Sequence, residues 1–480
     1  MKRYKVLLLL FVVVFLLNAC NQPTSDFTPY FKLLEKALTL ENALTLDQPE
    51  FDKIWPGYNL NDFPIGLYNE NEAYLINHPS PGNAFQKTDK KIDQFILYHS
   101  PNKPDAFFGN TSVEYNGHRT SIFKVGKDMS EESFYNLLFH EVFHSFQSSR
   151  EIFNKRYGNV LLQPFFPLND VEFYTLSYIE QMILKEAFIS GEDSETKKRI
   201  QQYYTVSDKR NSMLDEKFIE FESNVQIHEG TATYAGNKGL EVMGFDEKSK
   251  QDLLKLINGK TDVPTGFRLR GYGVGLTLAE LLDRYSPDWK NKLQPGFTLH
   301  GVLQSTVEPL YNAELEDILN EYHYLEIKEE FKTLLEQQAE ERKKQKDAIL
   351  QPGHLLIEFP DQNFLDMSSM RFDPMNISLV EEQLLCHRSI LTLGKKDHFS
   401  FKLNWQPILT EIAPGNLFFI SKIYFVIPED ARMTADGESI SELTENPDVK
   451  EFVLDSKSIH MEIHNAEIRK EDSHTVIELK

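Results

Sequence analysis

Two histidines four residues apart, the first followed directly by a glutamate, form the HExxH motif His140-Glu141-Val142-Phe143-His144. Phe134, Leu137 and Leu138 precede it and Phe146 follows it at helical intervals, so the spacing predicts an amphipathic helix here. Side chains four apart share one helix face, which lets both imidazoles reach a single metal ion while Glu141 projects beside them. Zinc held there would lower the pKa of a bound water towards about 7, and Glu141 would take its proton as it attacks a carbonyl. The plainer reading is a pair of histidines on a helix face, and the downstream sequence weighs against it.

A tetrahedral catalytic zinc needs a third protein ligand and one open position. Two adjacent residues offer themselves, His228 and Glu229, in Ile227-His228-Glu229-Gly230-Thr231-Ala232-Thr233-Tyr234. Neighbours on a helix diverge by about 100 degrees, so only one of them can face His140 and His144. The small residues Gly230 and Ala232 would let this helix pack closely on the HExxH helix, which favours Glu229. The segment also resembles the E-G-x-A-x-Y helix that supplies the glutamate ligand in gluzincin metallopeptidases, the thermolysin-like and aminopeptidase-like zincins. A third element, Tyr272-Gly273-Val274-Gly275, opens the helical run Leu276 to Tyr285 and looks like the Y-x-x-G segment of aminopeptidase-like members. The resemblance spans roughly Ser130 to Trp289. It implies a zinc site of His140, His144 and Glu229, with Glu141 as general base and Tyr272 as donor to the oxyanion.

The pattern also departs from that family. Between His144 and Glu229 lie 84 residues, so helices from about Val171 to Glu222 must be inserted. No G-x-M-E-N strand precedes the motif, Phe107-Phe108-Gly109-Asn110 being a poor substitute, so an aminopeptidase is not expected. Thr233 stands where thermolysin-like enzymes place a carboxylate that orients a ligand histidine. Arg268 and Arg270 could grip a substrate carboxylate, but solvated or structural arginines are the plainer reading. Tyr272 has a packing alternative, His228 reads as a satisfied or surface histidine, and Gln147, one turn beyond His144, as polar lining or an exposed side chain.

The elements that must position these groups fall into three regions of an α+β chain. A leader is expected over residues 1–19, a tether and mixed α/β region over 20–109, a mostly helical zincin-like catalytic region over 110–350, and a separate β domain over 351–480. In the first region a helix is predicted around Tyr30 to Leu46. Strands follow at Ala73 to Ile76 and Gln94 to Tyr98 and, past Gly109, at Ser121 to Val125, with Asn116-Gly117 as a hairpin turn before the last. From Ser130 to about Leu350 the apolar spacing is helical, ending in a charged helix around Glu329 to Lys346 whose run reads as a solvated face. Past Gln351-Pro352-Gly353, runs such as Leu355 to Phe359, Phe399 to Leu403, Leu417 to Val426 and Ile459 to Ile463 read as strands.

Composition bounds the partners. The 480 residues are 41% hydrophobic and 26% charged, the balance of a globular protein. A formal charge of −22 repels nucleic acid, which is excluded as a partner. The 35 Phe and 20 Tyr read as core bulk. Two cysteines, Cys20 and Cys386, build no disulfide framework, and Cys386 reads as a buried or idle thiol. Lys2, Arg3 and Lys5 precede an apolar run from Val6 to Leu17, too short to cross a bilayer but suited to a signal peptide. Leu17-Asn18-Ala19-Cys20 resembles the lipobox of bacterial lipoproteins, which implies an acylated Cys20 and a membrane anchor. With Asn21 rather than aspartate next, an outer-membrane or surface destination is implied. The expectation is therefore a lipid-anchored zinc metallopeptidase acting on peptide or protein substrates. The alternative is a catalytically silent, peptidase-like lipoprotein serving binding, against which the intact Glu141 argues.

Overall fold

The computed structural model describes residues 27–43, 50–154, 165–167, 169–259, 266–307, 314–361, 363–366, 370–373, 376–413, 416–471 and 473–480. Cys20 and the leader lie outside the described residues. In chain order, helix α1 (Thr28–Ala43) precedes six strands, β1 (Ile65–Tyr68), β2 (Ala73–Ile76), β3 (Gln86–Ile92), β4 (Phe95–Ser100), β5 (Thr111–Tyr115) and β6 (His118–Lys124). Helices α2 (Glu131–Ser148), α3 (Val171–Ile189), α4 (Asp193–Asn211) and α5 (Glu216–Val225) follow. A π-helical turn (Gln226–Gly230) then leads into α6 (Thr231–Val242), α7 (Asp246–Ile257), α8 (Gly266–Tyr285) and, later, the long α9 (Tyr324–Ile349). Strands occupy the chain from His354 to Leu479, giving an α+β protein with a strand region at each end of its helices.

The chain divides into two compact units. One comprises Met1–Lys155, Ala232–Asp252 and Lys290–Gly296, the other Arg156–Thr231, Leu253–Trp289 and Phe297–Lys480. In the first, the strands form a sheet of order β3-β4-β2-β1-β6-β5, in which β1 and β6 run parallel and the other pairs antiparallel. The β5–β6 hairpin turns on Asn116 and Gly117 with φ of 47° and 79°, the left-handed pair that a tight two-residue turn demands. Helix α2 starts at Ser130, whose hydroxyl accepts from the Ser133 amide at 3.2 Å, and its first turn carries Glu131 and Glu132. Its buried Ser145 hydroxyl is hydrogen-bonded to Ser112 on β5 at 2.8 Å and to Ser121 on β6 at 2.7 Å, pinning the helix to the sheet. Trp55 and Tyr58 stack edge-on against Phe143, and the Tyr58 hydroxyl donates to the Phe139 carbonyl at 3.0 Å. Most of the large fully buried side chains are aromatic, as core bulk requires.

In the second unit, α3, α4, α5 and α8 are tied together by four buried charges. Arg210 reaches Glu180 at 3.0 Å and Glu222 at 2.6 Å, while Arg270 reaches Glu222 at 3.1 Å and also pairs with Glu180. Each cation meets two anions and each anion two cations, so the ring closes without a net charge. Helix α8 begins well before the expected Leu276 and contains Tyr272 in its interior. Glycine costs roughly 1 kcal/mol per helical position relative to alanine, yet three of them sit here. A Cβ on Gly275 would come 2.6 Å from the Gln226 carbonyl, and one on Gly271 2.5 Å from Val225. On the opposite side of the approach, a Cβ on Gly230 would lie 2.6 Å from the Gly275 Cα. The glycines therefore let α8 touch the π-helical turn backbone to backbone, and this packing overrides their poor propensity.

The strands from His354 onward form a 13-stranded sheet around a core that includes Leu355, Phe401, Phe425, Phe452 and Met461. Ile349 at the end of α9 is buried with Cys386 and Leu409. Cys386 is fully buried and free, and burial pushes its thiol up to about 11, which makes it inert at neutral pH. Among the described residues no helix is long and apolar enough to cross a membrane.

Candidate metal centre

The HExxH motif occupies the middle of α2, where the pinned serine and the aromatic layer hold the helix in a fixed rotation. Its two imidazoles point towards one spot, with His140 Nε2 and His144 Nε2 3.1 Å apart. Two nitrogens bound to a tetrahedral zinc at about 2.0–2.1 Å stand roughly 3.3 Å from each other, so the pair is close to the spacing that ligation needs. The buried Gln147 side-chain oxygen accepts from His144 Nδ1–H at 2.8 Å. In a neutral ring that proton on Nδ1 leaves Nε2 with its lone pair, the tautomer a metal ligand requires. Gln147 thus orients His144, where the sequence offered polar lining or an exposed side chain. Its one signal was its position three residues after His144.

Glu141 is buried beside this pair, with 4% of its surface exposed. Together with burial and Glu70, its carboxylate pushes the Tyr68 phenol up. Asn136, one turn before the motif, donates to the Asn237 side chain on α6 at 3.1 Å, and Gly239 on that helix lies so close to Phe139 that a Cβ would fall 2.2 Å from its ring. Close packing of the helix after Glu229 on the HExxH helix is thus realised at Gly236 and Gly239, beyond the Gly230 and Ala232 singled out in the sequence.

Glu229 sits in the π-helical turn, a single wide turn of the kind common at functional sites. Its side chain, like those of His140 and His144, is half-buried. His228 is buried and falls outside every group of metal-capable side chains among the described residues. Two imidazoles and one carboxylate form a donor set suited to zinc, with three protein ligands leaving a coordination position open.

Arg268 and Tyr272 lie one turn apart on α8. The Arg268 guanidinium donates to Glu229 Oε1. Burial and then the Glu229 charge hold the Tyr272 phenol well above its usual range, so it stays protonated and able to donate. Burial alone would pull Arg268 down, but Tyr272 and Glu229 more than offset it and the guanidinium is held above its ordinary value. Arg270 belongs to the closed ring of buried charges. Stripping one partner from such a pair costs about 3–5 kcal/mol, so Arg270 is not available to grip a substrate carboxylate.

A second group, Glu451, Glu462 and His464, brings one ligand atom each within 4.8 Å. It lies on two adjacent strands of the large sheet, Asn446–Asp455 and Ile459–Lys470, with Glu451 directly opposite His464. Comparison with protein families, curated proteins and solved structures found no match to this chain.

Proposed function

We propose that this chain is a zinc-dependent metallopeptidase of gluzincin type, cleaving peptide bonds of peptide or protein substrates. The observation that carries this reading is the HExxH pair, with His140 Nε2 and His144 Nε2 3.1 Å apart and Glu141 buried beside them, while the Glu229 carboxylate held by Arg268 supplies the third donor. Bound zinc would polarise the scissile carbonyl and acidify the attacking water. Glu141 takes the proton from that water and later delivers it to the leaving amine. Gln147 keeps His144 in the tautomer that presents Nε2. Tyr272, held as a neutral phenol, donates to the oxyanion that develops on the substrate. The lipobox-like segment ending at Cys20 supports a lipid-anchored location in the bacterial cell envelope, on the outer membrane or cell surface.

The deciding experiment is Glu141→Gln. The purified variant should retain stoichiometric zinc while losing turnover of a mixed peptide library, because the base is removed and every ligand is kept. Wild-type turnover by the variant, or a wild-type protein that holds zinc and cleaves no peptide in the library, refutes the peptidase assignment.

A further inference from the structure

The proposed zinc chemistry leaves Arg268 without a task, yet its guanidinium pairs with the carboxylate of Glu229. Its side chain is 13% exposed and that of Glu229 14%, so the pair is nearly shut off from water. A charge-assisted hydrogen bond in such surroundings is strong and directional. Arg268 takes Oε1 of Glu229, the proposed third ligand.

The backbone is arranged to make that possible. Gly271 and Gly275 remove the side chains that would hold α8 away from the π-helical turn, and Gly230 does so from the other side. Arg270, between Arg268 and Tyr272 in sequence, is locked into the buried ring with Glu180 and Glu222, which prevents α8 from rotating about its axis. Arg268 and Tyr272 thus project from a helix fixed in both distance and rotation. A carboxylate on a flexible side chain rotates freely unless a partner holds one oxygen, and a metal binds more tightly to a donor already oriented.

We propose that Arg268 is the positioning residue of the metal centre, fixing the orientation of the Glu229 carboxylate for zinc. It acts through that carboxylate and takes no part in proton transfer. Lysine at this position keeps the charge but not the planar fork, so it can attract the Glu229 carboxylate without fixing its orientation. This inference rests on the zinc reading above, and its test separates the two.

Zn2+ affinity is measured by chelator competition on the purified full-length chain, and the visible spectrum of the Co2+-substituted protein reports ligand geometry. Arg268→Ala and Arg268→Gln should weaken Zn2+ binding by about 10- to 100-fold, the usual effect of losing a group that orients a ligand, and should alter the Co2+ bands. Arg268→Lys should recover part of the affinity with a spectrum still different from wild type. In a Glu229→Gln background, adding Arg268→Gln should change Zn2+ affinity no further. If Arg268→Ala fails to fold, the glutamine and lysine variants, which keep length and polarity, carry the test. Wild-type affinity and spectrum in Arg268→Gln, while Glu229→Ala loses metal, overturn the positioning role and leave the zinc reading standing. Wild-type metal binding by Glu229→Ala overturns both.

Discussion

Two regions of the molecule gather a histidine-and-glutamate group, one on helices and one on strands, and they differ in what surrounds the ligand atoms. On the helices, polar partners hold the proposed donors: Gln147 accepts from His144, and Arg268 donates to Glu229. The buried carboxylate of Glu141 stands beside the histidine pair. On the large sheet, His464 faces Glu462 at 3.0 Å and Glu451 at 4.0 Å, so its two ring nitrogens are already turned to carboxylates. Those side chains are a third to nearly half exposed, and Glu462 and His464 line an open pocket of about 420 Å³ that Lys395 and Lys396 also line. Three ligand-type atoms within reach of one another therefore do not make a catalytic centre. Held orientation and the buried Glu141 beside the histidines distinguish the proposed metal centre from what is, on the strands, an ordinary cross-strand charge cluster worth roughly 0.2–1 kcal/mol per pair.

The largest expected effect tests the helical group at its third ligand. Glu229→Ala should lose zinc and activity together, by more than the roughly 100-fold that an outer partner is worth. His228→Ala should keep both. Metal analysis and peptide turnover decide it, and zinc loss in His228→Ala instead would make the site a three-histidine one and remove the gluzincin reading. Next in size is Tyr272→Phe, which should lower kcat by about two to three orders of magnitude with much smaller change in zinc content. A loss under roughly tenfold returns Tyr272 to a packing role.

The strand region should show its own signature, in stability rather than in metal. His387 is buried with Nε2 2.9 Å from the Thr410 hydroxyl, and burial pulls its pKa down to about 3 from the ordinary 6.5. The native ring stays neutral while the unfolded chain takes up a proton below about 6.5, so stability falls with falling pH between 6.5 and 3. At pH 5 the loss should reach about 2 kcal/mol relative to pH 7.5. Urea unfolding of His387→Gln should show a shallower pH dependence over that window, and an unchanged slope would assign the dependence to other groups. Smallest of all, the double variant Glu462→Gln with His464→Gln should leave zinc stoichiometry unchanged and cost no more than about 1 kcal/mol. A drop in bound zinc would raise the strand cluster to the rank of a metal site.

Much of the architecture was legible from local pattern. The strand at Ala73–Ile76, the Asn116-Gly117 turn, the helix bearing HExxH, the helices between Val171 and Glu222, and the strand-rich stretch after Gly353 all follow from periodicity and turn chemistry. Those signals are short-range, since a 3.6- or 2-residue repeat is written along the chain itself. The start of α8 was not legible. Three glycines within five residues read as the opening of a helix, and only their close approach to Val225, Gln226, Gly230 and Leu256 explains why the helix continues through them. The parallel pairing of β1 with β6 likewise leaves no local trace.

At the site the same division holds. The sequence by itself determined which groups could ligate: the four-residue spacing of His140 and His144 puts them on one helix face whatever else the chain does, and Glu141 follows from its place between them. What only the tertiary structure decided is how those groups are held. Arg268 and Arg270 are alike in the sequence and two residues apart, yet one pairs with Glu229 and the other closes a ring with Glu180, Glu222 and Arg210. Neighbours on a helix point in different directions, and which direction meets a carboxylate depends on the helices packed there. That packing brings Glu180, Glu222 and Glu229 against α8 from segments about 40 to 90 residues away, a distance over which no local pattern speaks.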